Sequence, residues 1–234
     1  MSMQHQEEIT CPACQTKGNF TVWDRLDIQD NPEMKDSIAS LEVFQYHCPH
    51  CGATVNVDYG FLYHDKDRHF IVFFAPTADF EQRADLDMSE GQEAFRAMQQ
   101  NEGYIFRLVR TKEDLLEKIT VFEAGLDDRL AELTKTAALA QFKAQNQSFD
   151  VTSCHFVVQD DGSLRLVFFN NASGEGAYIG FNDSLAPLYH QLNNPWPTSC
   201  PRKKRHWPAS IRLGRRISYM PTYIIKKEGF LCPN

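Results

Sequence analysis

The chain has 234 residues, of which 42% are hydrophobic and 24% charged, and its net charge is −7 at pH 7. This length predicts one large or two small globular domains with a real core. No apolar run approaches the ~18–20 residues needed to cross a bilayer, and residues 1–10 are polar and acidic where a secretory leader would be basic and then apolar. We therefore expect a soluble, cytoplasmic protein without membrane contact.

The first 75 residues contain stretches typical of β-strands. Their apolar patterns predict strands at Phe20–Ile28, Leu41–His47, Ala53–Tyr59 and His69–Phe74, the last of them buried on both faces. Between the first two, proline at an early helical position predicts a short helix at Pro32–Ala39. The N-terminal domain is therefore expected to be mainly β.

A long helical stretch follows a predicted helix at Gln92–Gln100 and a strand at Tyr104–Val109. Thr111 and Asp114 have the spacing of a capping box, which predicts the start of this stretch. Its apolar residues recur every three or four positions and form one stripe: Leu115, Ile119, Phe122, Leu126, Leu130, Leu133 and Ala137. The stripe predicts core packing, with a dimer or partner interface as the alternative, and Gly125 is a point where the helix could break.

A smaller unit begins after residue 145. Strands at Val151–Val158 and Leu164–Phe169 flank a hairpin turn that contains Gly162, and a strand at Ala177–Phe181 and a helix at Asp183–Leu192 follow. The fold class is thus predicted as α+β: a zinc-ribbon-like β domain with a helical closing segment (1–145), a smaller β-rich unit with one helix (146–194), and a basic, flexible tail (195–234).

Two Cys-Pro-x-Cys tetrads carry the clearest chemical signal. They are Cys11-Pro12-Ala13-Cys14 and Cys48-Pro49-His50-Cys51, with 33 residues between the inner cysteines. In a reducing cytoplasm such clusters indicate metal or catalysis before disulfides. Four thiolates are the ligands of a closed, tetrahedral structural Zn²⁺ site, and they leave no open position for a catalytic water. We therefore predict structural zinc, with redox or disulfide use as the alternative.

The tetrads and the segments around them resemble the CpXC-domain family of bacteria and archaea. The resemblance rests on the tetrads and on the segments Phe20–Asp24, Pro32–Lys35, Val43–Gly52, Leu62–Asp65 and Phe122–Arg129, and it covers roughly residues 9–135. It implies a presumed zinc-binding domain without an established activity. It therefore supports Cys11, Cys14, Cys48 and Cys51 as ligands and implies no mechanism.

Two other groups of polar residues are candidate sites. His47 and His50 flank zinc cysteines, but four thiolates already complete the site, so neither is expected to bind the metal. The segment Tyr63–His69 holds His64, Asp65, Asp67 and His69, the composition of a second metal or acid–base site. The simpler interpretation is a polar turn between two strands.

The C-terminal tail is strongly basic. Residues 201–234 carry nine Lys and Arg residues against Glu228, a net charge of +8, whereas residues 1–200 carry −15. Seven of these charges lie at 202–216 together with His206 and Trp207, which suits phosphate neutralisation and base stacking. The alternative is a solubilising tail.

These observations favour a non-enzymatic, zinc-stabilised binding or scaffold protein with a protein partner or a second copy of itself. The alternatives are an enzyme that uses the Tyr63–His69 cluster and weak nucleic-acid binding through residues 202–216.

Overall fold

The computed structural model describes residues 1–82, 89 and 91–193, together with the backbone of residues 223–225. The chain divides into two compact units, Met1–Glu123 and Ala124–Asn234. This division falls before the boundary at residue 145 that the sequence predicts, because the helix at 128–145 packs with the C-terminal strands.

The described part of the first unit contains seven strands. They are β1 (Met3–Thr10), β2 (Lys17–Asp27), β3 (Gln45–His47), β4 (Thr54–Asn56), β5 (Phe61–Asp65), β6 (Phe70–Phe74) and β7 (Ile105–Val109). Five of them form a mixed sheet in the order β1-β2-β5-β6-β7, and β3 and β4 form a separate antiparallel pair. Within the larger sheet β2 runs parallel to β5 and β6 runs parallel to β7.

Three helices among the described residues of this unit agree with the predicted ones. They are α1 (Met34–Ala39), α2 (Gln92–Glu102) and α3 (Lys112–Glu123). The hydroxyl of Thr111 accepts a hydrogen bond from the backbone N–H of Asp114 at 3.0 Å, so the predicted cap of α3 is confirmed.

Aromatic side chains fill the core between the sheet and the cysteine-bearing turns. Neighbouring rings among Phe44, Tyr59, Phe61 and Phe74 have centroids 5.3–6.1 Å apart, in tilted or edge-on arrangements. Every residue of β6 is buried, as its apolar run predicts.

The structure of this unit differs from the sequence predictions in several places, among them the strand predicted at Ala53–Tyr59, which spans Thr54–Asn56. The strand β1 is not predicted by the sequence. Tyr63, His64 and Asp65 belong to β5, whereas the simpler interpretation of the sequence places them in a polar turn. The strand predicted at Leu41–His47 is half as long, because Leu41 has a left-handed backbone (φ 60°) and leads into a turn of 3₁₀ helix at Glu42–Phe44.

The long helical stretch is broken, and its single apolar stripe is not formed. Gly125 has φ 70° and separates α3 from α4 (Asp128–Gln145). Past the break, α4 buries Ala131, Thr134, Ala138 and Phe142, while Leu133 of the predicted stripe is 54% exposed.

Where the second unit is described, it is an antiparallel sheet with two helices. Its strands are β8 (Ser153–Val158), β9 (Leu164–Asn170), β10 (Glu175–Gly180) and β11 (Tyr223–Ile225), in the order β11-β10-β9-β8, and α5 (Ala186–Asn193) follows a π-helical turn at Phe181–Leu185. The predicted hairpin is confirmed, with Gly162 at φ 75°. Phe142 of α4 stacks on Phe168 of β9 at 4.3 Å.

The α+β class is therefore confirmed. The basic segment 202–216 lies outside the described residues. Among the residues that are described, no helix combines the length and the apolar character that a membrane span requires.

Candidate metal centre

The two cysteine tetrads form matching turns at the ends of two hairpins. In the turn between β1 and β2, the N–H of Cys11 donates to Thr16 and the carbonyl of Cys11 accepts from Gln15, both at 2.9 Å. In the turn between β3 and β4, Cys48 makes the same two bonds, to Ala53 and Gly52, also at 2.9 Å. The chain thus builds one local structure twice.

The turns meet, and their four sulfur atoms form a compact cluster. All four Sγ atoms lie within 4.8 Å of one another. Cys11 Sγ lies 3.7 Å from Cys51 Sγ, and Cys14 Sγ lies 3.7 Å from Cys48 Sγ. Four sulfurs at ~2.3 Å from a tetrahedral zinc ion are about 3.8 Å apart, so the cluster has the dimensions of such a site. The donor set therefore fits Zn²⁺.

The sulfur cluster lies at the margin of the core, because its four cysteines differ in solvent exposure. Cys11 and Cys48 are buried, Cys14 is half-buried and Cys51 is exposed. One side of the cluster is thus held rigidly by the core, and the other side gives an ion a route from solvent.

The surroundings prepare one thiol in each turn for ionisation. Hydrogen bonds from the hydroxyl and the backbone N–H of Thr16 lower the pKa of Cys14 to about 6. Backbone N–H groups of Cys51 and His50 lower the pKa of Cys48. The pKa of Cys51 rises to about 12, although the N–H of Ala53 lowers it, because the sulfur of Cys14 and the partial loss of solvent around this thiol oppose a further negative charge. Full ionisation of all four thiols therefore requires a cation.

The residue after the second cysteine has a left-handed backbone in both turns, with φ 73° at Gly52 and 59° at Gln15. Open space surrounds the position that a Cβ of residue 52 would occupy, so only backbone strain opposes a side chain there. Gly52→Ala is expected to lower the free energy of unfolding by about 1 kcal/mol. Gln15→Gly is expected to raise it by less, because the side chain of Gln15 also donates to the carbonyl of Pro12 at 3.2 Å. Urea unfolding of the metal-loaded proteins measures both, and an unchanged Gly52→Ala variant would contradict the argument.

The two histidines beside the cysteines have other partners. His47 is exposed and lies 3.1 Å from the Thr54 hydroxyl and 2.5 Å from a carboxylate oxygen of Glu42. His50 is exposed at the tip of the second turn. Neither belongs to the sulfur cluster.

The residues of the predicted Tyr63–His69 cluster do not form one site. His64 and Asp65 are neighbours on β5 and contact different residues. Asp65, fully buried, accepts hydrogen bonds from Gln29 at 2.7 Å and from Arg68 at 3.1 Å. Asp67 is exposed in the turn after β5, and His69 stacks on Tyr104 at 5.0 Å.

His64 instead lies in a polar network with Arg25 and Tyr104 that the sequence does not predict. A guanidinium nitrogen of Arg25 lies 2.8 Å from Nδ1 of His64, so Nδ1 is the acceptor and Nε2–H donates to the Tyr104 hydroxyl at 3.0 Å. The carboxylate of Asp27 lies 3.3 Å from Nδ1 and 2.6 Å from the ammonium group of Lys66. Burial and the nearby Arg25 lower the pKa of His64. This network comes from strands far apart in sequence, so no local motif could reveal it.

Fold and site together define a protein with a four-cysteine cluster, able to hold a metal ion, on a β-rich N-terminal unit. The chain belongs to the CpXC family, whose members are called CpXC proteins. The family model matches residues 9–135 of the chain. No curated protein and no solved structure matches the chain.

Proposed function

We propose that the protein binds one structural Zn²⁺ through Cys11, Cys14, Cys48 and Cys51, and that it acts as a zinc-stabilised binding or scaffold protein. The observation that carries this proposal is the pair of 3.7 Å sulfur separations, one across each side of the cluster. They match a tetrahedral tetrathiolate site.

The donor set favours a structural role over a catalytic one. Four thiolates fill the coordination of zinc, and a catalytic site keeps one position for water or substrate. When bound, the ion supplies a cross-link between the β1–β2 turn and the β3–β4 turn. The chain itself contributes the two matching turns, whose backbone hydrogen bonds hold each pair of sulfurs in place.

Metal analysis of the purified protein tests the site. The wild type is expected to contain one zinc per chain, and Cys48→Ser is expected to lose most of it, because three ligands and a hydroxyl bind zinc far more weakly than four thiolates. Cys154→Ser is the matched control, because Cys154 lies in the second unit. His47→Ala and His50→Ala are expected to keep the metal. Zinc well below one per chain that is the same in wild type and Cys48→Ser would overturn the assignment.

The scaffold role implies a protein partner or self-association, in a reducing cytoplasm that keeps the thiols available. Light scattering during size-exclusion chromatography of the full chain tests self-association. A mass of one chain at all concentrations would remove the homo-oligomer and leave a different protein as the partner.

A further inference from the structure

Tyr46 lies on β3, two residues before Cys48, and its hydroxyl is enclosed beside the sulfur cluster. The side chain is buried and packs in the same core cluster as Cys11, Cys14 and Cys48. Burial and the neighbouring Cys48 raise the pKa of its hydroxyl. The backbone of Gly18 closes the other side, since a Cβ on residue 18 would lie 2.0 Å from this oxygen. The hydroxyl is thus held between β2 and the cysteines.

This hydroxyl makes no hydrogen bond of standard geometry with the described residues, and the sulfur of Cys48 is the acceptor that acts on it. Leaving a buried hydroxyl unpaired costs about 1–3 kcal/mol, so an unpaired one needs an explanation. Two other buried tyrosines give the comparison. Tyr59 donates to the carbonyl of Val43 at 3.1 Å, and Tyr63 is also unpaired but has Glu123 and Asp65 as its charged neighbours instead of cysteines.

We propose that Tyr46 is a positioning residue of the metal centre, whose O–H donates to the thiolate of Cys48 when zinc is bound. The inference rests on the proposed zinc site. A tetrathiolate zinc centre carries a net charge of −2, and each donor that points at a sulfur spreads this charge and strengthens binding. Thr16 supplies such donors to Cys14, and the backbone of the second turn supplies them to Cys48. Tyr46 adds a donor from inside the core.

The test compares Tyr46→Phe with Tyr63→Phe, two changes that each remove one unpaired, buried hydroxyl from the same unit. Zinc affinity is measured by competition with a chromophoric chelator. Tyr46→Phe is expected to weaken zinc binding by about tenfold, the lower end of the effect of removing an outer-shell partner. Tyr63→Phe is expected to leave affinity unchanged. The thiolate-to-cobalt charge-transfer band of the Co²⁺-loaded protein is expected to shift in Tyr46→Phe alone.

Urea unfolding of the metal-free proteins separates a metal effect from a folding effect. Without zinc, Tyr46→Phe is expected to be at least as stable as the wild type, because it removes an unpaired group. Equal zinc affinity in wild type and Tyr46→Phe would overturn this inference and leave the zinc site standing. A Tyr46→Phe variant that is destabilised without metal would also overturn it, since the hydroxyl would then serve the fold. A wild type that binds no zinc would overturn the proposed function itself.

Discussion

Removal of zinc is expected to lower the melting temperature of the first unit by at least about 15 °C. A ligand present at 1,000 times its dissociation constant stabilises the folded state by about 4 kcal/mol, and each kcal/mol moves the midpoint of a domain near this size by about 4 °C. The effect is large because β3 and β4 have three residues each, and a two-stranded hairpin is marginal in water without support. The metal supplies that support at Cys48 and Cys51.

Thermal unfolding followed by circular dichroism, with and without a strong chelator, measures this loss. Zinc added back in excess is the control and is expected to restore the midpoint. Cys11→Ser is expected to melt near the chelated wild type and to respond little to chelator. A midpoint that is equal in the chelated and the zinc-loaded wild type would show that the turns fold without metal.

Asp27→Asn is expected to lower the free energy of unfolding by about 2–3 kcal/mol. The carboxylate of Asp27 is fully buried and lies 2.6 Å from Lys66, 3.3 Å from His64 and 3.9 Å from Arg25. An amide keeps the shape but leaves the ammonium group of Lys66 and the guanidinium group of Arg25 without their counter-charge. The loss stays below that of a fully buried ion pair, because Lys66 and Arg25 are partly exposed and can turn toward water. Urea unfolding of zinc-saturated protein at pH 7 measures it.

The same network predicts how stability depends on pH. Burial and Arg25 lower the pKa of His64, so the folded state disfavours its protonated form and loses stability as the pH falls below about 6.5. Burial raises the pKa of Asp27, but the hydrogen bond from Lys66 outweighs this and holds that pKa below its usual range. Asp27 therefore stabilises the fold above about pH 4, and this contribution is lost in more acid solution.

The measurement is the difference in unfolding free energy between wild type and His64→Gln across pH 7 to 5, with both proteins saturated with zinc. The two proteins share the same cysteines, so the pH dependence of metal binding cancels. The variant is expected to lose less stability than the wild type over this range. Parallel curves would show that His64 does not titrate with folding.

Local signals predicted the parts of this molecule that are local. Cys11–Cys14 and Cys48–Cys51 are short turns whose ligand spacing and hydrogen bonds lie within six residues. The sequence alone therefore predicts these four cysteines as one set of metal ligands. The hairpin at Gly162 and the cap at Thr111 are equally local. In each case one side chain or one φ angle decides the structure.

The failures have the opposite origin. His64 and Asp65 are polar residues typical of turns, yet they lie inside the sheet because Arg25 and Tyr104 bond His64, and Gln29 and Arg68 bond Asp65. Nothing within ten residues of His64 reveals its contact with Arg25, which lies 39 positions earlier. β1 escaped prediction because it shows no apolar alternation, and its pairing with β2 alone makes it a strand.

The polar composition of β1 has a further consequence at the rim of the five-stranded sheet. An edge strand offers free backbone donors and acceptors to any other extended chain, which is a common start of aggregation. β1 is such an edge strand. It carries the polar residues His5, Glu7 and Glu8, and its register with β2 is irregular between Met3 and Gln4. Charge repulsion and local twist discourage a flat, ladder-like addition of further strands. The polar sequence of β1, which hides it from strand prediction, thus also disfavours the addition of further strands at this edge of the sheet.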